Sequence, residues 1–205
     1  METFISSTDL EALLGTTVDP DSLIIAIALD SACQSVRTYL GQTVNYVADD
    51  VEVHSGSGRR KLRLRERPVR VVTEVKVDNT VIDPTTYNVR GAIITYTNTD
   101  AWTFGNDNIR VKYSHGYDID EPSEFNVPAD IRLVTLLAAR RVYEAVGYFQ
   151  SIGGGVLTGE TIGDYSYTLS DSAATSVAEA SALTEGEEYV LDRYRIELVG
   201  DTPTY

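Results

Sequence analysis

Few side chains in this sequence have the types and spacing that catalysis needs. Only two histidines are present, and His115 lies between Ser114 and Asp118. Serine, histidine and aspartate can form a nucleophilic triad, but triad members meet through folding rather than as sequence neighbours. We favour a turn after a strand at His115–Gly116. A hydrolase that uses His115 with a nearby carboxylate stays open as a hypothesis from a different class.

The metal and phosphate motifs are incomplete. The acidic loop from Asp118 to Glu124 offers hard oxygen ligands but lacks the glycine and spacing of a calcium loop. The stretch from Ile152 to Gly155 lacks the Lys-Ser/Thr pair that completes a phosphate-binding loop. Cys33 lies on an apolar helical stripe, which predicts a small core residue. We therefore predict no enzymatic activity, no cofactor and no metal site.

A basic run stands out in an otherwise acidic chain. Seven of the 17 basic residues lie between Arg59 and Arg70. Because alternate residues of a strand share a face, the run predicts one cationic face. Docking to an acidic protein surface, contact with DNA phosphates and a solvated face that discourages edge-to-edge pairing all stay open. The predicted face consists of Arg59, Lys61, Arg63, Arg65 and Arg67.

Length and charge limit the class of protein. The chain has 205 residues, 42% of them apolar, enough for one moderately large domain or a compact core with an inserted module. Its formal net charge of −14 disfavours bulk nucleic-acid binding. A single cysteine, an N-terminus without signal-peptide features and short apolar runs predict a protein made in the cytoplasm without a membrane segment.

Two helices are predicted at the N-terminus. Thr8–Glu11 fits a capping box and Gly15 a left-handed stop. Asp19 and Pro20 are suited to begin the second helix, which ends at Gly41. Its apolar stripe recurs at spacings of three and four, at Ile25, Leu29, Ala32, Cys33, Val36 and Leu40.

An alternating, β-type pattern follows from Val44 to Tyr113. It predicts an antiparallel module of five to seven strands, with a hairpin turn at Asp78–Asn79 and a last strand over Ile109–Tyr113. The chain then returns to a central helix opened by Pro128. The central helix is the expected partner of the second helix, through Ile131, Val134, Ala138, Val142 and Ala145.

The C-terminal stretch has the composition of an assembly arm. A glycine break at 153–155 precedes one short strand and a helix that begins at Thr184 with a capping box. Such a segment could order on a partner, the strand by β-addition and the helix by filling a groove. The alternative is that both elements pack on their own domain. The side chains concerned are Tyr165, Tyr167, Leu169, Leu191 and Tyr194.

The sequence therefore predicts an α+β fold with a helical core, an inserted antiparallel β module and a C-terminal strand-helix arm. The N-terminal helices take residues 1–43 and the β module residues 44–117. The central core helix falls in residues 118–149, and the flexible arm takes residues 150–205.

The order of short segments along the chain carries a family resemblance. Two helices end in Val36–Gly41, and an inserted β region carries Val75–Asp78. Val111–Tyr117 then precedes Val127–Ile131, which leads into Ala138–Arg141. This arrangement resembles the head-to-tail connector (adaptor) family of long-tailed, siphovirus-type phages. No single motif is diagnostic, and the resemblance lies in order and spacing.

The resemblance covers most of residues 5–149 and, more loosely, 162–169, and it implies a structural function in the virion neck. Such adaptors form a ring of about twelve subunits beneath the portal. They extend the DNA channel, enclose DNA without reading its sequence, and dock the stopper or another tail-completion protein. A different neck or tail-completion subunit is the alternative. A ring of twelve copies would carry roughly −168 before counterions, which suits either an acidic lumen that repels DNA or simple solubility.

Overall fold

The computed structural model describes residues 2–20, 22–97, 101–119, 124–151, 160–162, 165–167 and 179–196. The chain divides into two compact units. A helical unit contains Met1–Gly41 and Pro128–Glu197, and a β unit contains Gln42–Val127. The observed elements are mixed α and antiparallel β, as the sequence predicted.

The helical unit is built around a long central helix. Its helices are α1 (Ser7–Leu14), α2 (Leu23–Leu40), α3 (Ala129–Ser151) and α4 (Glu185–Leu191), with a 3-10 turn at Asp192–Tyr194. The first, second and fourth helices each pack against α3. The predicted pairing of the second helix with the central helix is therefore confirmed.

The apolar stripes of α2 and α3 form the contact between these helices. All six predicted stripe residues of α2 are buried, as are Ile131, Val134, Ala138 and Val142 of α3, whereas Ala145 is half-buried. Each large aliphatic side chain buried in this way stabilises the unit by about 1.5–3 kcal/mol. Although α2 is long and apolar enough to cross a membrane, its stripe is used in packing against α3. Burial raises the pKa of the Cys33 thiol on this stripe.

The starts of α1 and α2 differ from the sequence prediction, whereas their stops agree with it. The N-cap of α1 is Ser6, not Thr8, because Ser6 and Asp9 complete a capping box two residues earlier. The second helix begins at Leu23 after a turn in which the Ser22 amide donates to the Asp19 carbonyl. Both predicted glycine stops have φ 67°, a left-handed conformation that favours glycine.

Among its described residues, the β unit has seven strands in two antiparallel sheets. They are β1 (Val47–Gly56), β2 (Lys61–Arg63), β3 (Val69–Val77), β4 (Thr80–Val81), β5 (Tyr87–Arg90), β6 (Ile93–Tyr96) and β7 (Gly105–His115). A four-stranded sheet has the order β1-β7-β3-β4, and a three-stranded sheet has the order β2-β6-β5. The hairpin turn at Asp78–Asn79 is confirmed, with φ 49° and 64°. The last strand is longer at both ends than the predicted Ile109–Tyr113.

The buried faces of the two sheets share one hydrophobic core. Its fully buried side chains include Leu64, Ile94, Trp102, Val111 and Tyr113. Alternation along β2 places Leu62 in this core and leaves Lys61 and Arg63 exposed.

Two glycines allow backbone segments of the β unit to approach closely. A Cβ at Gly56 would lie 1.7 Å from the carbonyl oxygen of Thr103. A Cβ at Gly116, which has φ +88°, would lie 2.1 Å from the carbonyl oxygen of Asn45. Larger residues at either position would push β1 away from its neighbours.

The predicted arm contains a two-stranded ribbon and the last helix. The ribbon pairs β8 (Glu160–Ile162) with β9 (Tyr165–Tyr167), so the predicted strand has a partner within the chain. Leu169 lies outside the described residues. The predicted capping box at Thr184 and Glu187 is confirmed and begins α4.

Candidate functional site

The outward face of the three-stranded sheet carries clustered positive charge. Antiparallel register aligns Arg63 with Ile93 and Ile93 with Arg90, so two arginines flank one isoleucine. The next row on this face aligns Lys61 with Thr95 and Asn88. Directly opposed side chains in a sheet lie about 4.5–5.5 Å apart at Cβ, which makes these rows contiguous. We call Lys61, Arg63, Arg90 and Ile93 the basic face.

The basic face has no counter-charge among the residues that the structure describes. No ion pair between described residues involves Lys61, Arg63 or Arg90. All three cations are exposed, and Ile93 is 37% exposed. Like charges held side by side repel, so the face favours an acidic partner.

The predicted five-cation strand face is wrong beyond Arg63. Arg65 follows β2, and its amide donates to both carboxylate oxygens of Glu52 at 3.1–3.2 Å instead of to a strand carbonyl. Arg67 is half-buried, and burial together with the nearby Arg63 lowers the pKa of its guanidinium. Arg59 precedes β2 and is exposed, and its carbonyl accepts the Trp102 amide.

Helix α4 presents an acidic face on its outer side. Glu185, Glu188, Tyr189 and Asp192 recur at spacings of three and four, so they share one side of the helix. Tyr189 is 81% exposed, which is unusual for a large aromatic side chain. No ion pair between described residues involves these three carboxylates, although Asp192 accepts the Tyr39 hydroxyl. We call these four residues the acidic face.

The opposite side of α4 is fixed to α3. Arg141 donates from Nη1 and Nη2 to the two carboxylate oxygens of Glu187, at 2.7 and 2.9 Å. It also donates to the carbonyl oxygens of Ala180 and Ala182. Burial alone would raise the pKa of Glu187, but hydrogen bonds from Arg141 and Thr184 hold it below its ordinary value. This paired, buried carboxylate orients the helix.

Two of the predicted partner-binding residues are at least half-buried in the helical unit. Leu191 is fully buried, and the half-buried Tyr194 donates its hydroxyl to Asp130 at 3.2 Å. Leu191 could reach a partner only if α4 left α3. Tyr165 and Tyr167 belong to β9, and their role in strand addition stays a prediction, as does that of Leu169.

A cluster of titratable groups surrounds the buried His115 at one end of the four-stranded sheet. His115 is the last residue of β7 and is 2% exposed, so the predicted turn begins only after it. Its Nε2 lies 3.2 Å from Asp50, and its Nδ1 lies 4.0 Å from Glu66. Ser114 is its neighbour on the same strand, and successive strand side chains point to opposite faces. Ser114 and His115 therefore do not form the nucleophile–base pair that a hydrolase needs.

Glu52 joins this cluster to the core. Its carboxylate accepts the Tyr113 hydroxyl at 2.6 Å and lies 3.0 Å from His54. Burial alone would raise the pKa of Glu52, but contacts with His54, Tyr113 and the Arg65 amide together lower it. Burial and the same carboxylate raise the pKa of Tyr113. The geometry indicates a structural carboxylate that fixes the segment after β2 against β1.

Replacing Glu52 with glutamine is expected to destabilise the β unit by about 1–3 kcal/mol at neutral pH, because the neutral amide cannot replace the charge-assisted bonds. A carboxylate whose pKa is lowered by folding stabilises the folded state at pH values above its ordinary pKa of 4.5. This stability is lost as the pH falls through the lower pKa of the folded state. Urea unfolding curves of both proteins, measured from pH 7 downward, should therefore converge below about pH 4.5.

The matched control is Glu74→Gln, which removes a half-buried pairing with Lys76 on the same strand. It should change the free energy of unfolding by less than about 0.5 kcal/mol. A stability gap for Glu52→Gln that stays constant from pH 7 to pH 3 would contradict the role given to the Glu52 charge.

Comparison with known proteins gives one family match and several structural likenesses. The model of a family described as head completion protein matches residues 3–155. A chain from the neck of an empty gene transfer agent particle, computed with C6 symmetry, is 13% identical with a TM-score of 0.54, covering 96% of this chain and 91% of that chain. A chain from the neck of a native particle, computed with C12 symmetry, is 13% identical with a TM-score of 0.49, covering 98% of each chain. No curated protein gave a significant match.

Proposed function

Since the chain belongs to the head completion protein family, whose model matches residues 3–155, we propose that it forms a ring in the virion neck. In this proposal the ring lies beneath the portal, extends the DNA channel and docks the stopper or tail-completion protein. Family membership itself makes the chain a structural protein of a viral particle rather than an enzyme, as the sequence predicted.

The family match carries the proposal, and three further observations support it. A solved chain with a similar fold comes from a particle neck. That neck was computed with C6 symmetry, which is compatible with rings of six or of twelve subunits. The third observation is the presence of two exposed surfaces of opposite charge, the basic face and the acidic face. Surfaces of this kind suit a protein whose function is to bind neighbours.

The charge balance supports a passage for DNA rather than a binding site. The net charge of −14 is repeated in every copy, so a ring would oppose adsorption of the phosphate backbone along its wall. DNA that must pass through a neck benefits from weak contacts, because tight binding of phosphates would hinder its sliding. The chain would accordingly enclose DNA without reading its sequence.

The test is to locate the chain in assembled particles. Particles lacking the chain would be complemented with a copy that carries a C-terminal label, and averaged images of purified necks would be compared with and without the label. We expect a closed ring of labelled density between the portal and the next neck component, and we expect particles without the chain to lack joined tails. Label distal to the stopper would assign the chain to tail completion, and absence of label from the neck would refute the proposal.

A further inference from the structure

We propose that the basic face of one copy binds the acidic face of the neighbouring copy, and that this head-to-tail contact builds the ring. The inference rests on the proposed ring function and adds to it the two surfaces that meet. It concerns Lys61, Arg63, Arg90 and Ile93 of one copy and Glu185, Glu188, Tyr189 and Asp192 of the next.

The first argument is that the two faces have opposite charges and that each has a partly exposed apolar or aromatic side chain among them. The basic face is a sheet surface with cations on either side of Ile93, which is 37% exposed. The acidic face is a helix surface with carboxylates around Tyr189, which is 81% exposed. A desolvated aromatic–aliphatic centre with a charged rim is the usual anatomy of a specific protein interface. Within one copy, no ion pair between described residues involves the cations of the basic face or the carboxylates of the acidic face.

The second argument is the division of charge along the chain. Eleven of the 17 basic residues lie between residues 42 and 127, where they nearly balance thirteen acidic residues. The rest of the chain has six basic and eighteen acidic residues. Two copies that met through their acidic remainders would repel, as would two basic faces, whereas a contact between the basic face and the acidic face would attract. Contacts between unlike surfaces are head-to-tail, and they close into rings when the rotation permits.

The third argument is that both faces are held in fixed orientations. The basic face lies on paired strands, and the opposite side of the same sheet contributes Leu62 and Ile94 to the core. The acidic face lies on α4, which Arg141, Glu187 and the fully buried Leu191 attach to the rest of the helical unit. Surfaces that need little ordering on contact lose less free energy when they bind.

A DNA partner for the basic face is the competing assignment, and the structure favours it less. It would leave the acidic face and the exposed Tyr189 without a role, and the phosphate backbone would meet a chain of net charge −14. The two assignments make different predictions for charge reversal, because only a contact between copies can be restored by reversing both faces.

The experiment compares particles complemented with full-length variants. The basic-face variant carries Arg63→Glu and Arg90→Glu, and the acidic-face variant carries Glu185→Lys and Glu188→Lys. Each should reduce the copies of this chain per purified neck by about tenfold or more, since like charges would oppose across the contact. The combined variant with all four changes should recover most of the loss, because each copy would again present complementary faces. Matched controls are Arg110→Glu and Asp30→Lys, which reverse exposed charges outside both faces and should assemble normally.

The outcomes distinguish a contact between copies from a contact with DNA. Normal rings from either single-face variant, or no recovery in the combined variant, would overturn the proposed contact. Rings that form normally in the basic-face variant but retain DNA less well would assign that face to DNA instead. These results leave the ring function intact, whereas a wild-type chain that is absent from the neck would refute the ring itself. Unfolding curves of the basic-face variant and of both controls should agree with the wild type within about 0.5 kcal/mol, since exposed substitutions seldom alter stability more. The acidic-face variant places lysines in the first turn of α4, where the helix dipole disfavours each cation by about 0.3–1 kcal/mol. The combined variant has the same lysines, so its recovery separates this cost from the loss of the contact.

Discussion

Replacing Arg141 with alanine is expected to release α4 from α3. The substitution removes four hydrogen bonds and leaves the Glu187 carboxylate, which is 8% exposed, without its cation. Removing one partner of a buried ion pair costs more than removing both, because the remaining charge is neither solvated nor paired. We expect local opening of α4 to become easier by about 2–4 kcal/mol.

Hydrogen–deuterium exchange of the backbone amides of α4 measures this opening directly. At pH 7 these amides should exchange roughly a hundredfold faster in Arg141→Ala than in the wild type. The matched control is Arg140→Ala, the preceding residue, whose 47% exposed side chain pairs with Glu144 one turn away. An exposed pair of this kind contributes about 0.3–0.5 kcal/mol, so the control should change exchange less than threefold. Equal exchange in the two variants would show that Arg141 does not hold the helix.

The same substitution connects the helix to assembly. The acidic face is useful to a neighbouring copy only while α4 is held in one orientation, so a helix that opens would present it only part of the time. Arg141→Ala should therefore weaken ring formation although Arg141 belongs to neither face. The free energy needed to order a binding segment reduces the net free energy of binding, so the contact becomes weaker.

Helical periodicity and glycine stops predicted the helical unit well, for a physical reason. Burial of an apolar stripe requires a repeat of 3.6 residues, and the side chains of α2 and α3 show it over several turns. The start of α1 was harder to predict than its stop, because Ser6, Ser7 and Thr8 can all cap a helix. Which of them does so depends on the acid three residues later, and Asp9 selected Ser6.

The basic face could be predicted only in part. A period of two within one run identifies Lys61 and Arg63, but Arg90 lies far along the chain and joins them only through the register of β5 and β6. Register is set by the packing of the core and by the turns between strands, neither of which a single run reveals. The acidic face was not predicted, although Glu185, Glu188 and Tyr189 have helical spacing beside the capping box at Thr184, which is the signal that could have identified it.

Replacing Trp102 with alanine is expected to lower the free energy of unfolding of the β unit by about 3–5 kcal/mol. Trp102 is 1% exposed, and its ring centroid lies 4.4 Å from that of Tyr96 at the end of β6. Its amide donates to the carbonyl of Arg59, and its own carbonyl accepts the amide of Gly58. The indole therefore fills the core beneath the three-stranded sheet while its backbone fixes the approach to β2.

Urea unfolding followed by far-UV circular dichroism measures this loss of stability. Circular dichroism is used because Trp102 is the single tryptophan of the chain, so Trp102→Ala has no tryptophan fluorescence to follow. Phe104→Ala is the matched control: it removes an aromatic ring two residues away that is 83% exposed, and it should cost less than about 0.5 kcal/mol. Trp102→Phe keeps part of the ring volume and should fall between the two. Equal effects of Trp102→Ala and Phe104→Ala would contradict the role of the indole.

Because the basic face is the outer side of the sheet that Trp102 supports, a loss of several kcal/mol should also lower the yield of assembled rings, without any change in the charges that meet the neighbouring copy.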